Sequence, residues 1–177
     1  MLSVDRCDEC GFDYDMALAD GAGDGIAAFA NDLAAVLREP PGDLTARPQP
    51  DTWSVLEYAC HVRDVLLVQR ERVLLARRVE RPAFEPMGRD ERVEHDGYAE
   101  QDPDDVARQL DDAARLFGNV LARLEPGDWD RTVIYGYPAP AERSLRWVAV
   151  HTLHEARHHL RDVRLQLLGD GEIGNVS

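Results

Sequence analysis

Nine consecutive residues near the C-terminus, His151-Thr-Leu-His154-Glu155-Ala-Arg-His158-His159, hold four of the six histidines of this 177-residue chain together with a glutamate. Imidazole and carboxylate are the side chains that hold divalent transition metals. Residues four apart lie one above the other on a helix, so two pairs compete for an ion: His154 with His158, and Glu155 with His159. The first pair, written HEARH, matches the HExxH signature of zinc proteases, in which the glutamate serves as general base. That signature needs a third ligand beyond the helix, where Glu172 is the sole plausible candidate.

Which pair is used depends on the helix that carries it. On an ideal wheel, Arg143, Arg146, Arg157, Arg161 and Arg164 gather on one side, while Leu145, Val148, Thr152, Glu155, His159 and Val163 line the other. Charged arginine heads favour water, so the Glu155/His159 line is expected to face the interior. His154 falls near the arginine side, His158 at the boundary, and Val150 interrupts the pattern. A buried glutamate and histidine need partners. His61, in Trp53-Ser-Val-Leu-Glu-Tyr-Ala-Cys60-His61, can supply one from a second helix. His61, Glu155 and His159 then make a three-ligand site with an open position, as in catalytic metal centres.

Four helices are predicted: about Asp24 to Arg38, Asp51-Thr52-Trp53 to Arg78, Asp102-Pro103 to Glu125, and Ala141-Glu-Arg-Ser144 to Leu168. Pro/Gly-rich breaks separate them. Residues 79–101 form a long link, and residues 129–137 read as a short extended piece. This is the pattern of an all-α four-helix bundle with long inter-helix loops, built over residues 21–177 behind a CxxC-containing extension over residues 1–20.

In that extension, Cys7-Asp-Glu-Cys10-Gly11 has the shape of half a zinc knuckle. His154 and His158, left on the outer face, can join Cys7 and Cys10 in a structural Cys2His2 zinc site pinning the N-terminal segment over the last helix. Cys60 is expected to be a buried apolar thiol, and His95 an exposed loop residue. Tyr98, Trp129, Tyr135 and Tyr137 are expected to pack, with a pocket mouth as their alternative role.

Taken together, Trp53…His61 and the His151–His159 helix running on to Val163 resemble the DinB/YfiT-like superfamily of four-helix-bundle metal proteins. That superfamily includes mycothiol-dependent maleylpyruvate isomerase and the bacillithiol S-transferases. The resemblance covers roughly residues 21–169 and implies His61, Glu155 and His159 as ligands of a divalent metal, zinc or nickel. It further implies an enzyme that activates a thiol or water for S-transfer or thiol-assisted isomerisation, with mycothiol or another low-molecular-weight thiol as co-substrate. His151 or His158 would move a proton. A non-enzymatic metal-binding or stress-response protein is the alternative.

Composition bounds the partners. The chain has 20 basic and 34 acidic residues, a formal charge of −14, and every basic side chain except histidine is arginine. A chain this acidic is a poor match for a nucleic-acid backbone or an anionic membrane. The absence of lysine excludes Schiff-base chemistry. A small-molecule substrate is expected, with homodimerisation left open. Without an apolar span or a signal-like N-terminus, a cytoplasmic bacterial protein is expected, and its cysteines read as thiols or ligands.

Overall fold

In the computed structural model, which describes residues 6–136 and 139–168, four long helices make the bundle: α1 (Ala22–Arg38), α2 (Val55–Arg78), α4 (Pro103–Leu121) and α6 (Leu145–Leu168). Tyr137 and Glu172, singled out above, lie outside the described residues. Both α1 and α2 pack against α4 and against α6, which gives the ring order α1–α4–α2–α6. The consecutive pairs α1/α2 and α4/α6 therefore sit diagonally across the bundle, while α2 and α4 are neighbours. Gly25 lets α1 approach α6 closely, since a Cβ there would meet Leu153 Cδ1 at 2.7 Å.

Local chemistry sets the helix ends. The N–H of Glu57 donates to the Ser54 hydroxyl at 3.2 Å, and the Glu57 carboxylate accepts the Ser54 N–H at 2.8 Å. This reciprocal capping box starts α2 at Val55 rather than at Asp51-Thr52-Trp53. Arg47 strengthens the choice by holding both Glu57 oxygens, at 2.8 and 2.5 Å. At α4 the expected start holds: Asp102 accepts the Asp105 N–H at 3.0 Å and Pro103 occupies the first turn.

The start of α6 differs from expectation. Residues Ala141–Ser144 form strand β3, antiparallel to β2 (Thr132–Tyr135), and β1 (Ala83–Phe84) joins β2 on its other edge in parallel. Backbone pairing along the four residues of β2 outweighs the weak strand preference of Ala-Glu-Arg-Ser. The helix then begins at Leu145, with the Ser144 hydroxyl accepting the Trp147 N–H at 3.2 Å. The small sheet thus anchors the end of α6 from which the histidine cluster follows.

The long link is structured as β1, the short α3 (Arg89–His95) and a 3-10 turn that drives Tyr98 into the core. There the Tyr98 hydroxyl donates to buried Asp64 at 2.7 Å, and Arg63 and Arg92 donate to the same carboxylate at 2.8 and 3.0 Å. Short α5 (Pro126–Trp129) follows α4 and packs against α6. As expected, Cys60 is buried and His95 is exposed. Among the described residues, no helix is long and apolar enough to cross a membrane.

Candidate metal centre

The wheel is right about Leu145, Val148, Thr152 and Val163, all buried, and incomplete about the opposite flank. His154 and Val150, assigned to the arginine side, are buried as well. The reason is tertiary: the N-terminal segment folds back over this flank of α6. Phe12 packs its ring 5.2 Å from that of His154, and the Arg157 guanidinium lies 5.5 Å over the Phe12 ring. Two faces of α6 are covered, and each carries part of the cluster.

On the bundle face, His61 comes from α2 and Glu155 and His159 from successive turns of α6. Their ligand atoms all lie within 4.8 Å of one another. The His61 and His159 rings are 4.9 Å apart and nearly perpendicular. His159 Nε2 faces Glu155 Oε2 at 3.7 Å, and its Nδ1 is held by Asp162 Oδ2 at 3.1 Å. A carboxylate behind a histidine fixes the ring and its tautomer, as it does behind metal-bound histidines. His61 Nδ1 is buried without a hydrogen-bond partner.

Protonation follows from these surroundings. Burial pushes His61 down to about 3, with the nearby His159 charge adding to the effect. Burial likewise lowers His151 to about 4. For His159 burial works in the same direction, yet the hydrogen bonds to Asp162 and Glu155 outweigh it and raise the ring to about 9. Burial would raise Glu155, but His154 and His159 hold its carboxyl well below the usual range. The set therefore offers a neutral imidazole and a carboxylate in their ligand forms. A His2Glu donor set also matches three-ligand zinc sites, whose N and O ligands sit about 2.0–2.2 Å from the ion. The residues present fit a divalent metal.

These groups open on a cavity of about 890 Å³. It is lined by Tyr135, Trp147, residues 6–9 and residues 85–91. Gly136 belongs to this lining, and a Cβ there would stand 2.5 Å from the Phe84 carbonyl oxygen. His151 lies in the cavity with Nε2 4.0 Å from Glu155 Oε1, stacked on Trp147 at 4.6 Å between rings. Arg72 enters from α2, donating to the Tyr135 hydroxyl at 3.2 Å and lying over the Phe84 and Tyr135 rings. Among the described residues, no carboxylate pairs with Arg72.

Three participants escaped the sequence reading. Asp162 had a signal, its i+3 spacing from His159. Arg72 was one arginine among many. Tyr14 had none: its hydroxyl lies 3.0 Å from His151 Nδ1 and 2.9 Å from His154 Nδ1, contacts made across more than 130 residues of chain. Of the aromatics expected to pack, Tyr98, Trp129 and Tyr135 are all buried in the core, and Tyr135 also lines the cavity.

Comparison with known proteins agrees with this architecture. The sequence profile of the DinB superfamily matches residues 26–163, and the chain belongs to that superfamily. A solved structure matches with a TM-score of 0.69 and 17% identity, over 82% of this chain and 85% of the other. It is described as YfiT from Bacillus subtilis, "a probable metal-dependent hydrolase with an unusual four-helix bundle topology". A search of curated proteins finds no match.

Proposed function

We propose that His61, Glu155 and His159 hold a divalent cation, zinc or nickel, at the floor of an enzyme active site that acts on a small anionic substrate. The observation that carries this reading is their convergence, with their ligand atoms within 4.8 Å of one another, in a cavity that also receives the unpaired charge of Arg72. Bound there, the ion supplies a positive charge that lowers the pKa of a thiol or water beside it.

The chain's own residues supply the rest. The Arg72 guanidinium is held in place by Tyr135 and by the Glu85 carbonyl oxygen, and it orients an anionic group of the substrate. His151 accepts or delivers the proton: its neutral ring is fixed by Tyr14 and Trp147, with Nε2 turned toward Glu155. Tyr135 and Trp147 exclude bulk water. His158 turns its Nδ1 toward Cys7 instead, so the proton role falls to His151.

The reaction proposed is S-transfer or thiol-assisted isomerisation with mycothiol or another low-molecular-weight thiol. The superfamily resemblance supports this choice, and a cavity of about 890 Å³ has room for such a co-substrate. The description of the YfiT relative supports water as the competing nucleophile. The test is turnover of electrophiles with mycothiol, bacillithiol or glutathione, with ester substrates in parallel, in metal-loaded protein and in His61→Ala. Thiol consumption lost in His61→Ala supports the reading; ester hydrolysis without thiol consumption replaces it with the hydrolase. Several overlapping ligand groups along α6 favour one other reading, a non-enzymatic metal-binding protein. Metal bound with no turnover of either kind would establish it.

A further inference from the structure

On the other covered flank of α6, Cys7, Cys10, His154 and His158 also bring one ligand atom each within 4.8 Å of one another. We infer that these four residues form a separate Cys2His2 zinc site that locks the N-terminal segment onto the bundle as a wall of the cavity. This site shares no ligand with the His61 centre, to which it is joined by Asp162, between His158 and His159, and by the contact of Glu155 with His154.

The spacing suits a zinc site. Zn–S and Zn–N bonds of about 2.3 and 2.0 Å place sulfur and nitrogen about 3.5 Å apart across a tetrahedral edge. Cys7 Sγ and His158 Nδ1 are 3.7 Å apart. The other His158 nitrogen, Nε2, faces Glu9 at 3.2 Å and Asp162 at 3.4 Å, so carboxylates hold the proton on the far side of the ring. His154 repeats the arrangement. Its Nδ1 meets the Tyr14 hydroxyl at 2.9 Å and Glu155 Oε1 at 3.5 Å, while its Nε2 is buried and makes no hydrogen bond. A buried imidazole nitrogen with a free lone pair is costly unless something accepts it, and a cation does.

The segment carrying the cysteines is shaped to present both. The Gly11 N–H donates to the Cys7 carbonyl at 2.8 Å, and Gly11 takes a φ of +67°, which a side chain would oppose. The turn is closed by the Cys7 N–H donating to the Phe12 carbonyl at 2.8 Å. Binding exchanges two thiol protons for one dication, so two thiolates and two neutral imidazoles give a site of zero net charge. Soft sulfur donors select zinc over magnesium, calcium or manganese. Residues 6–9 lie within reach of both centres, so the zinc site fixes the wall that faces the His61 site.

The test uses full-length protein without a histidine tag, with metal content measured and cobalt substituted for zinc. Wild type is expected to show a thiolate-to-cobalt charge-transfer band. Cys7→Ser/Cys10→Ser should lose that band and one metal equivalent, whereas His61→Ala should keep the band. Failure of the His61 centre alone would leave one equivalent, still lost on cysteine replacement. Alkylation of wild type reads the site without any substitution: Cys7 and Cys10 should react at least tenfold faster after chelation. An unchanged metal content in the double variant, a cobalt spectrum lacking the band, or equal alkylation rates with and without metal would each overturn the inference.

Discussion

Asp162→Asn offers a direct measure of how α6 prepares His159 for a metal. The carboxylate accepts from Nδ1 at 3.1 Å, keeping the proton on that nitrogen and directing Nε2 at Glu155. Removing such an outer carboxylate weakens metal binding about 10- to 100-fold, or about 1.4–2.7 kcal/mol. The Asp162 side chain is 22% exposed and asparagine keeps an accepting oxygen, so the loss should fall near the lower end, about tenfold. Asp162 also lies 3.4 Å from His158, so the comparison belongs in the Cys7→Ser/Cys10→Ser background, where only the His61 centre binds. Competition against a chromophoric chelator should give a Kd about tenfold weaker with stoichiometry retained. A Kd within twofold of the parent would refute the role given to Asp162. Complete loss of binding would show that it ligates directly.

Two further expectations concern the scaffold. Asp64→Ala should cost about 3 kcal/mol in chemical denaturation, the low end for a broken buried pair, because the buried Arg63 guanidinium keeps only the exposed Asp96 as counter-charge. Burial would raise the Asp64 carboxyl, but hydrogen bonds from Arg63 and Tyr98 hold it below its ordinary value. Its contribution is therefore complete above the unfolded pKa of about 3.9 and fades as pH falls through the folded value, and Asp64→Ala should flatten that acid limb. Gly136→Ala forces a Cβ against the Phe84 carbonyl, so it should destabilise by about 1–3 kcal/mol and perturb β1 beside the cavity. An unchanged denaturation midpoint would contradict the close approach.

What could be read from sequence was what short-range chemistry determines. Asp102-Pro103 announced α4 because its cap, proline and acidic turn all lie within four residues. The Glu155/His159 line emerged because one period governs the whole of α6. The cap of α2 was placed too early because Ser54 is chosen by a carboxylate that Arg47 holds from outside the helix. His154 was assigned to solvent because its cover, Phe12 and Tyr14, comes from the far end of the chain. A wheel describes one helix in isolation; it has no means of showing a second partner on the opposite side.

The ring order α1–α4–α2–α6 also has a consequence for how the chain reaches its native state. In an up-and-down bundle, each helix can dock on its predecessor through a short hairpin as soon as both exist. Here α1 and α2 stand diagonally opposed, joined by residues 39–54, and their principal neighbours are α4 and α6. The first helix must wait for partners that begin at Pro103 and Leu145. Loop closure over such separations precedes the contacts that reward it, so refolding should be slower than in a hairpin-built bundle of equal length. During synthesis the apolar face of α1 emerges long before its partners, and nascent chains truncated ahead of α4 should bind chaperones and resist compaction.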